Sequence, residues 1–454
     1  MNEYNRDDIL SMAETVYGKS VKDIDKKHRS EKETKGMIGH IIEESVYGFD
    51  INSRSEADFK ELGIELKTTP LKRNKNGSIS AKERLVLNII NYMKEAHVTF
   101  ETSSFWTKNQ EILLYFYLWE KGAPIQNFKV LKAVLLTYSE EDLSIIRNDW
   151  EIIHHKILSG KAHELSEGDT MYLGACTKGV NAKSMRQQPF SPILAKQRAY
   201  SLKQSYMTTI ARQHLDSEEL ERITDKRELR EKSFEEILHA RFNPYIGMSV
   251  EEISQNLGLE LNSAFKSKVQ QLTSKILDIR GNKLDSIEEF SKANIVFKTI
   301  RLNKKGVPKE SMSFKQIDFK EWLELPFEES EIYNTFETTK FLFVVFQFDD
   351  EENLIFKGIK LWNMPEETIQ GEIYGLWKDV RDKLEKGVKL EKSSRGIKNN
   401  LPDSSFNGVA HIRPKARNAE DKVQLPDGQM ITKQTYWLNS SYVAKIVSDI
   451  DGVE

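Results

Sequence analysis

The chain repeats itself, and that limits the folds open to it more than any other feature. Four segments of the first half recur in the same order in the second half. SEADFKELGIELKTT (55–69) matches SIEEFSKANIVFKTI (286–300), and FETSSFWTKNQEILLYF (100–116) matches FETTKFLFVVF (336–346). ACTKGVNAK (175–183) matches HIRPKARNAE (411–420), and AYSLKQSYMTTIA (199–211) matches TYWLNSSYVAKIV (435–447). One such match is compatible with chance, but four in one order argue for an internal duplication. A length of 454 residues has room for it, being too long for one ordinary core.

The repeated unit reads as mixed α/β. Helical patterns open and close residues 1–212, with β-like runs such as ILLYFYLW (112–119) and FKVLKAVLLTY (128–138) between them. Residues 246–454 form the second unit. The stretch 213–245 is heavily charged, with Leu220, Ile223, Ile237 and Leu238 at helical spacing, and it predicts a solvated helical linker. The expected architecture is two tandem folds, each a mixed β-sheet flanked by helices.

Charge leaves nucleic acid open without pointing to it. A basic total of 67 against 70 acidic residues gives a net −3, whereas DNA binders are often basic; a bipolar surface can still hold a basic cleft. Any case for DNA must therefore come from a site. No apolar run approaches the ~18 residues of a membrane span, and the opening MNEYNRDDILSMAETVYG lacks the pattern of a signal peptide, so a cytoplasmic location is expected. The single cysteine, Cys176, rules out an internal disulfide, and no Cys/His group has zinc spacing.

The segment from Asp58 to Thr68 carries the chemistry. Gly63 can supply a turn, after which Ile64-Glu65-Leu66-Lys67-Thr68 alternates as a strand does. Residues two apart share a face, so Glu65 and Lys67 project together while Ile64 and Leu66 face a core. Asp58, just before the turn, can fold back beside Glu65. Two carboxylates can hold a hard divalent cation such as Mg²⁺, and a neighbouring lysine can orient the attacking water or stabilise charge on phosphorus. Upstream, KGMIGHIIE (35–43) reads as a helix from which Glu43 can reach the strand as a further metal ligand, with Lys35 near its start to meet a phosphate. Taken alone, the same residues also fit an edge strand with a solvated Glu/Lys pair and an ordinary surface helix.

The ordered set narrows the choice. KGMIGHIIE (35–43), DFKELGIELKTTP (58–70) and TFETSSFWTK (99–108) resemble, in order and spacing, the MutH-type branch of the PD-(D/E)xK nucleases. The whole chain, including KERLVLNIINY (82–92) and GKAHELSEGDTMYLGACTKG (160–179), is similar to the two-domain GATC-cutting type II restriction enzymes of that branch. The resemblance implies a Mg²⁺ endonuclease with Glu43, Asp58, Glu65 and Lys67 in its active centre and Lys108 near the scissile phosphate. It places a DNA-reading loop at Cys176–Lys178, where Lys178 keeps the family's lysine and Cys176 replaces its arginine. It places a second reading segment at Arg198–Lys203, with Ser201 at the position that senses adenine methylation and Lys203 closing the segment. A small residue there predicts cutting whether or not the adenine is methylated.

The second copy departs from the pattern where chemistry is needed. Glu289 stands in the slot of Asp58, Val296 in that of Glu65 and Ser274 in that of Glu43. A valine cannot bind Mg²⁺, so this copy is expected not to cut. It retains Arg413 and Lys415, which the resemblance assigns to DNA reading, and so is expected to bind a second GATC site and activate the first copy; the alternative is a scaffold only. A palindromic site cut on both strands needs two active sites or two visits by one, so a monomer that pairs on DNA, or else nicks the strands in turn, is expected, with a cognate DNA methyltransferase to protect the host. A MutH-like mismatch-repair nicking enzyme and a non-cutting GATC-binding regulator are the alternatives.

Overall fold

The computed structural model describes residues 4–31, 36–51, 56–179, 184–260, 265–280, 283–393, 396–450 and 453. Contacts divide the chain into two units. One comprises residues 1–234 with 285–294, the other 235–284 with 295–454.

The first unit contains, in chain order, β1 (Ile64–Arg73), β2 (Ile79–Ala81), β3 (Leu85–Ile89), β4 (Glu111–Leu118) and β5 (Lys129–Thr137). They are followed by β6 (Leu173–Thr177), β7 (Met185–Gln188), β8 (Ser191–Lys196) and β9 (Arg198–Leu202). One sheet has the order β2-β1-β4-β5, with β4 parallel to β1 and antiparallel to β5. A second, antiparallel sheet sets β9 between β3 and β6. In β4 the five residues Ile112–Phe116 are all fully buried, the pattern of a strand covered on both faces. The helix Met37–Ser45 buries Met37, Ile38, Ile41 and Ile42 and packs on β1. Each such side chain contributes roughly 1.5–3 kcal/mol by leaving water, which pins the Glu43 helix to the strand of Glu65.

The second unit contains β10 (Ile295–Leu302), β11 (Met312–Gln316), β12 (Lys340–Phe348), β13 (Leu354–Trp362) and β14 (Leu390–Ser393). The rest are β15 (Gly396–Asn399), β16 (Ala410–Pro414), β17 (Lys422–Gln424), β18 (Met430–Thr432) and β19 (Gln434–Leu438). Its topology repeats that of the first. β10 is parallel to β12, β12 is antiparallel to β13, and β19 lies between β11 and β16. The irregularities coincide as well: the register shifts after Phe116 in the β4–β5 pair and after Val345 in the β12–β13 pair. Glu65 stands opposite Ile112, and Val296 opposite Phe341; Lys67 stands opposite Leu114, and Lys298 opposite Phe343. The tandem mixed α/β folds expected from the repeats are what the chain forms.

The stretch 213–245 is not one solvated helix. The helix Gln204–Leu215 ends inside it, and separate helices follow at Lys226–Glu231 and Phe234–Phe242. Ile223, Ile237 and Leu238 are buried, so the apolar residues that suggested a helical stripe are packing contacts of shorter pieces. Among the described residues no helix is long and apolar enough to cross a membrane.

Candidate active site

Gly63 sets the local geometry. Its φ of 67° lies in the left-handed region that glycine enters without steric cost. The turn it closes is held by the Phe59 amide, which donates to the Ile64 carbonyl at 2.9 Å. Asp58 is thereby folded back against β1, where its Oδ2 accepts from the Leu66 amide at 2.9 Å. Ile64 and Leu66 point into the core. Glu65 and Lys67 share the opposite face, with Lys67 Nζ 2.5 Å from Glu65 Oε1. Glu65 is only 2% exposed, which removes the reading of a solvated edge-strand pair.

A second lysine reaches the same carboxylate. Lys108 lies in the last turn of the helix Ser104–Asn109, which is capped by Ser103 and packs on β1. Its Nζ is 3.4 Å from Glu65 Oε1. The other oxygen, Glu65 Oε2, is buried without a hydrogen-bond partner among the described residues. Burial raises the Glu65 carboxyl above its ordinary value, while Lys67 opposes the shift.

Two adjacent glutamates show what the cluster does to charge. Glu43 is pushed up to about 7, first by burial and then by the charge of Asp58, against the pull of Lys67. Glu44 is held at about 2 by hydrogen bonds from Arg29 and Lys27. Glu44 is thus a structural ion pair, whereas Glu43 belongs to a set of like charges drawn together without enough cation. Such crowding of carboxylates marks functional sites.

The donor set fits a hard divalent cation. Carboxylate oxygens are the ligands such ions take. An unpartnered buried oxygen costs about 1–3 kcal/mol, which a cation at Glu65 Oε2 would offset. Glu43, Asp58 and Glu65 would hold it. Among the described residues no three His, Cys, Asp or Glu side chains are already gathered around one point. Lys67 and Lys108 meanwhile neutralise Glu65.

The remaining expected residues are dispersed. Lys35 lies outside the described residues. Lys178, just past the end of β6, is half-buried, and its amide donates to the Gln197 carbonyl at 2.8 Å. Cys176 is buried. Ser201 and Lys203 do not line a DNA-facing surface here, which corrects the sequence expectation. All five residues of β9, the middle strand of its sheet, are buried, as for a strand whose two faces are both covered. Ser201 lies inside that sheet, and Lys203 is 1% exposed, its ammonium donating to the Thr170 carbonyl. Sequence reasoning also missed Glu95 and Tyr200, both buried and hydrogen-bonded to each other; nothing in their local sequence marks them.

Residues 47–149 match the family profile described as DNA mismatch repair enzyme MutH, a span that holds Asp58, Glu65, Lys67 and Lys108. Over 97% of its length the chain is 42% identical to the type II restriction enzyme Sau3AI of Staphylococcus aureus, covering 98% of that protein. The chain belongs to the Sau3AI family of type II restriction enzymes. The DNA mismatch repair protein MutH of Shewanella woodyi is 29% identical over 40% of the chain and 78% of its own length. That of Haemophilus ducreyi is 32% identical over 34% of the chain and 66% of its own length. The MutH proteins thus match less than half of the chain, while the Sau3AI family spans both units.

Within this Sau3AI-family chain the described residues of the second unit carry no equivalent of the cluster at the matching positions. Val296, in the register of Glu65, is apolar and 36% exposed. Lys298 donates instead to the Ser313 carbonyl at 3.3 Å. Ser274, in the slot of Glu43, is buried. Glu289, in the slot of Asp58, is fully buried within the first unit and accepts from the amides of Ile223 and Thr224 and from the Thr224 hydroxyl. Its carboxyl serves the fold. Cations remain: Lys298, Arg301 and Lys309 line a cavity of about 120 Å³. Arg413 and Lys415 are exposed and lie 5.4 and 5.8 Å from the Trp437 ring.

Proposed function

We propose that this chain hydrolyses phosphodiester bonds of double-stranded DNA at 5′-GATC-3′, with Mg²⁺ held by Glu43, Asp58 and Glu65. The observation that carries this reading is the Glu65 carboxylate, which is buried, bound by two lysines on one oxygen and, among the described residues, unpartnered on the other. The cation, when bound, polarises the phosphoryl oxygen and acidifies a water. Asp58 is oriented for its part by the Leu66 amide, and Glu65 by the pairing of β1 with β4. Lys67 orients the attacking water from beside Glu65, and Lys108 offsets the charge that builds on the phosphate. The core beneath β1 holds these groups in place before substrate arrives.

Each chain offers one such centre, and GATC is palindromic. Two copies that are separate in solution therefore meet on DNA to cut both strands. The second unit, with basic side chains and no metal-binding carboxylates at the matching positions, binds a further GATC site and stimulates the first. The reading implies action inside the cell, beside a methyltransferase that protects the host's own sites.

The match to MutH over residues 47–149 supports a second reading, a nicking enzyme of mismatch repair. Digestion of plasmid DNA with Mg²⁺ and with EDTA, followed by sequencing of the ends, separates the two. Linear fragments ending at GATC support the restriction enzyme, and nicked circles alone support the second reading. Binding without any cleavage in Mg²⁺ would sink both and leave a GATC-binding regulator.

A further inference from the structure

A buried carboxylate outside the metal cluster links that cluster to the sheet of the Lys178 loop. Glu95 ends the short helix Tyr92–Glu95 and is 2% exposed. Both of its oxygens are used. Oε1 accepts from the Ser104 hydroxyl and Oε2 from the Tyr200 hydroxyl at 3.2 Å. Ser104 is locked as a donor to Glu95 because its own oxygen accepts from Asn88 Nδ2 at 2.9 Å. Asn88 in turn accepts from Asn109 Nδ2 at 2.9 Å. Ser104 and Asn109 are the two ends of the helix that presents Lys108 to Glu65.

The other end of the link is β9. Tyr200 is in that strand, and its ring packs 5.7 Å from Phe105 of the Lys108 helix. β9 is bonded along its length to β6, with Thr177 opposite Arg198, and the Lys178 amide bonds to Gln197 just before β9 begins. A continuous set of hydrogen bonds therefore runs from the Lys178 loop through β9 and Glu95 to the helix of Lys108. A buried carboxylate held by two hydroxyls is a costly way to pack a core; apolar side chains would fill the space without that penalty. What the arrangement secures is direction, since both partners must sit where their protons reach the acid.

We propose that Glu95 is a positioning residue for DNA cleavage, fixing the Lys108 helix against β9 so that DNA engagement at the Lys178 end of the sheet sets the place of Lys108 beside Glu65. The proposal rests on the nuclease reading above. It makes Glu95 and Tyr200 affect the rate of the chemical step and the discrimination between GATC and altered sites, although neither touches DNA.

The test uses the full-length protein with Tyr200→Phe, which deletes one oxygen, and Glu95→Gln. Single-turnover cleavage is measured with enzyme in excess on a GATC duplex and on a duplex with one base pair changed. Affinity is measured by anisotropy in Ca²⁺, and folding by thermal melting. Displacement by about 1 Å can cost roughly a hundred-fold in rate. A fall of about ten-fold or more on GATC is expected for Tyr200→Phe in protein that melts well above the assay temperature, with affinity unchanged and a smaller ratio between the two duplexes. In a Lys108→Ala background Tyr200→Phe should add nothing, because it acts through that lysine. A wild-type rate for folded Tyr200→Phe, a loss confined to affinity, or a full additional loss in the Lys108→Ala background would overturn the proposal. If Glu95→Gln does not fold, Tyr200→Phe decides alone. Failure of the wild type to cut GATC would instead refute the nuclease reading.

Discussion

Replacing Glu43 by Gln separates the electrostatic cost of the carboxylate cluster from its chemistry. Burial, with the charge of Asp58 behind it, lifts the Glu43 carboxyl from 4.5 to about 7. A group raised in this way binds its proton more tightly when the chain is folded. Its contribution to stability is therefore complete below pH 4.5 and is lost as pH rises through about 7. With one pKa unit worth about 1.4 kcal/mol, keeping Glu43 in place costs the folded chain about 1 kcal/mol at pH 5 and about 3 kcal/mol at pH 8. The amide of Glu43→Gln has the same shape and no charge to desolvate. In EDTA the variant should unfold at higher urea than the wild type at pH 8, and the gap should shrink by about two thirds at pH 5. Adding Mg²⁺ at pH 8 should close the gap from the other side, because a cation stabilises the state that binds it and the amide is a poor ligand. Glu65 is raised in the same direction, but it is common to both proteins and drops out of the comparison. Urea midpoints that stay parallel for the two proteins from pH 5 to pH 8 would show that Glu43 does not carry the strain assigned to it.

Four further outcomes follow from the same geometry. Glu65→Ala should lower cleavage of a GATC duplex by roughly a thousand-fold or more while leaving binding intact, as a gel-shift assay beside a digest would show. Lys108→Ala should slow single-turnover cleavage by about ten- to a hundred-fold with little change in affinity, the pattern of a group used mainly in the transition state. Arg413→Ala combined with Lys415→Ala should reduce the salt dependence of DNA binding by about two charges and abolish stimulation by a second GATC site on the same plasmid. Because Ser201 lies inside its sheet, plasmids from adenine-methylating and non-methylating hosts should be digested at equal rates; protection by methylation would contradict this.

Much of the site is local and could be read from the chain. The alternation of Ile64 to Lys67, the glycine at position 63 and the acid at position 58 lie within one turn and one strand, so spacing alone predicts which side chains share a face. The loss of the carboxylate in the second copy is visible as Val296 for the same reason: the copies keep one register. Burial is harder to read. The β9 segment alternates in type, yet elements distant in the chain, such as the Phe105 helix against Tyr200, cover its faces, and Ser201 and the following Lys203 are inside. The stretch 213–245 has helical spacing, but its apolar residues are used by separate short pieces.

Repeats, periodicity and near neighbours are properties of order along the chain, so the duplication, the fold class and the strand of Glu65 and Lys67 behind Asp58 are legible from residue order alone. It takes the folded chain to bury Glu65 with an oxygen to spare among the described residues, to bring Lys108 to it across 43 positions, and to push Glu43 up to about 7 while Glu44 is held low. Charge energies depend on distance through space and on exclusion of water. Both are set where helix and strand meet, and neither is written in the order of residues.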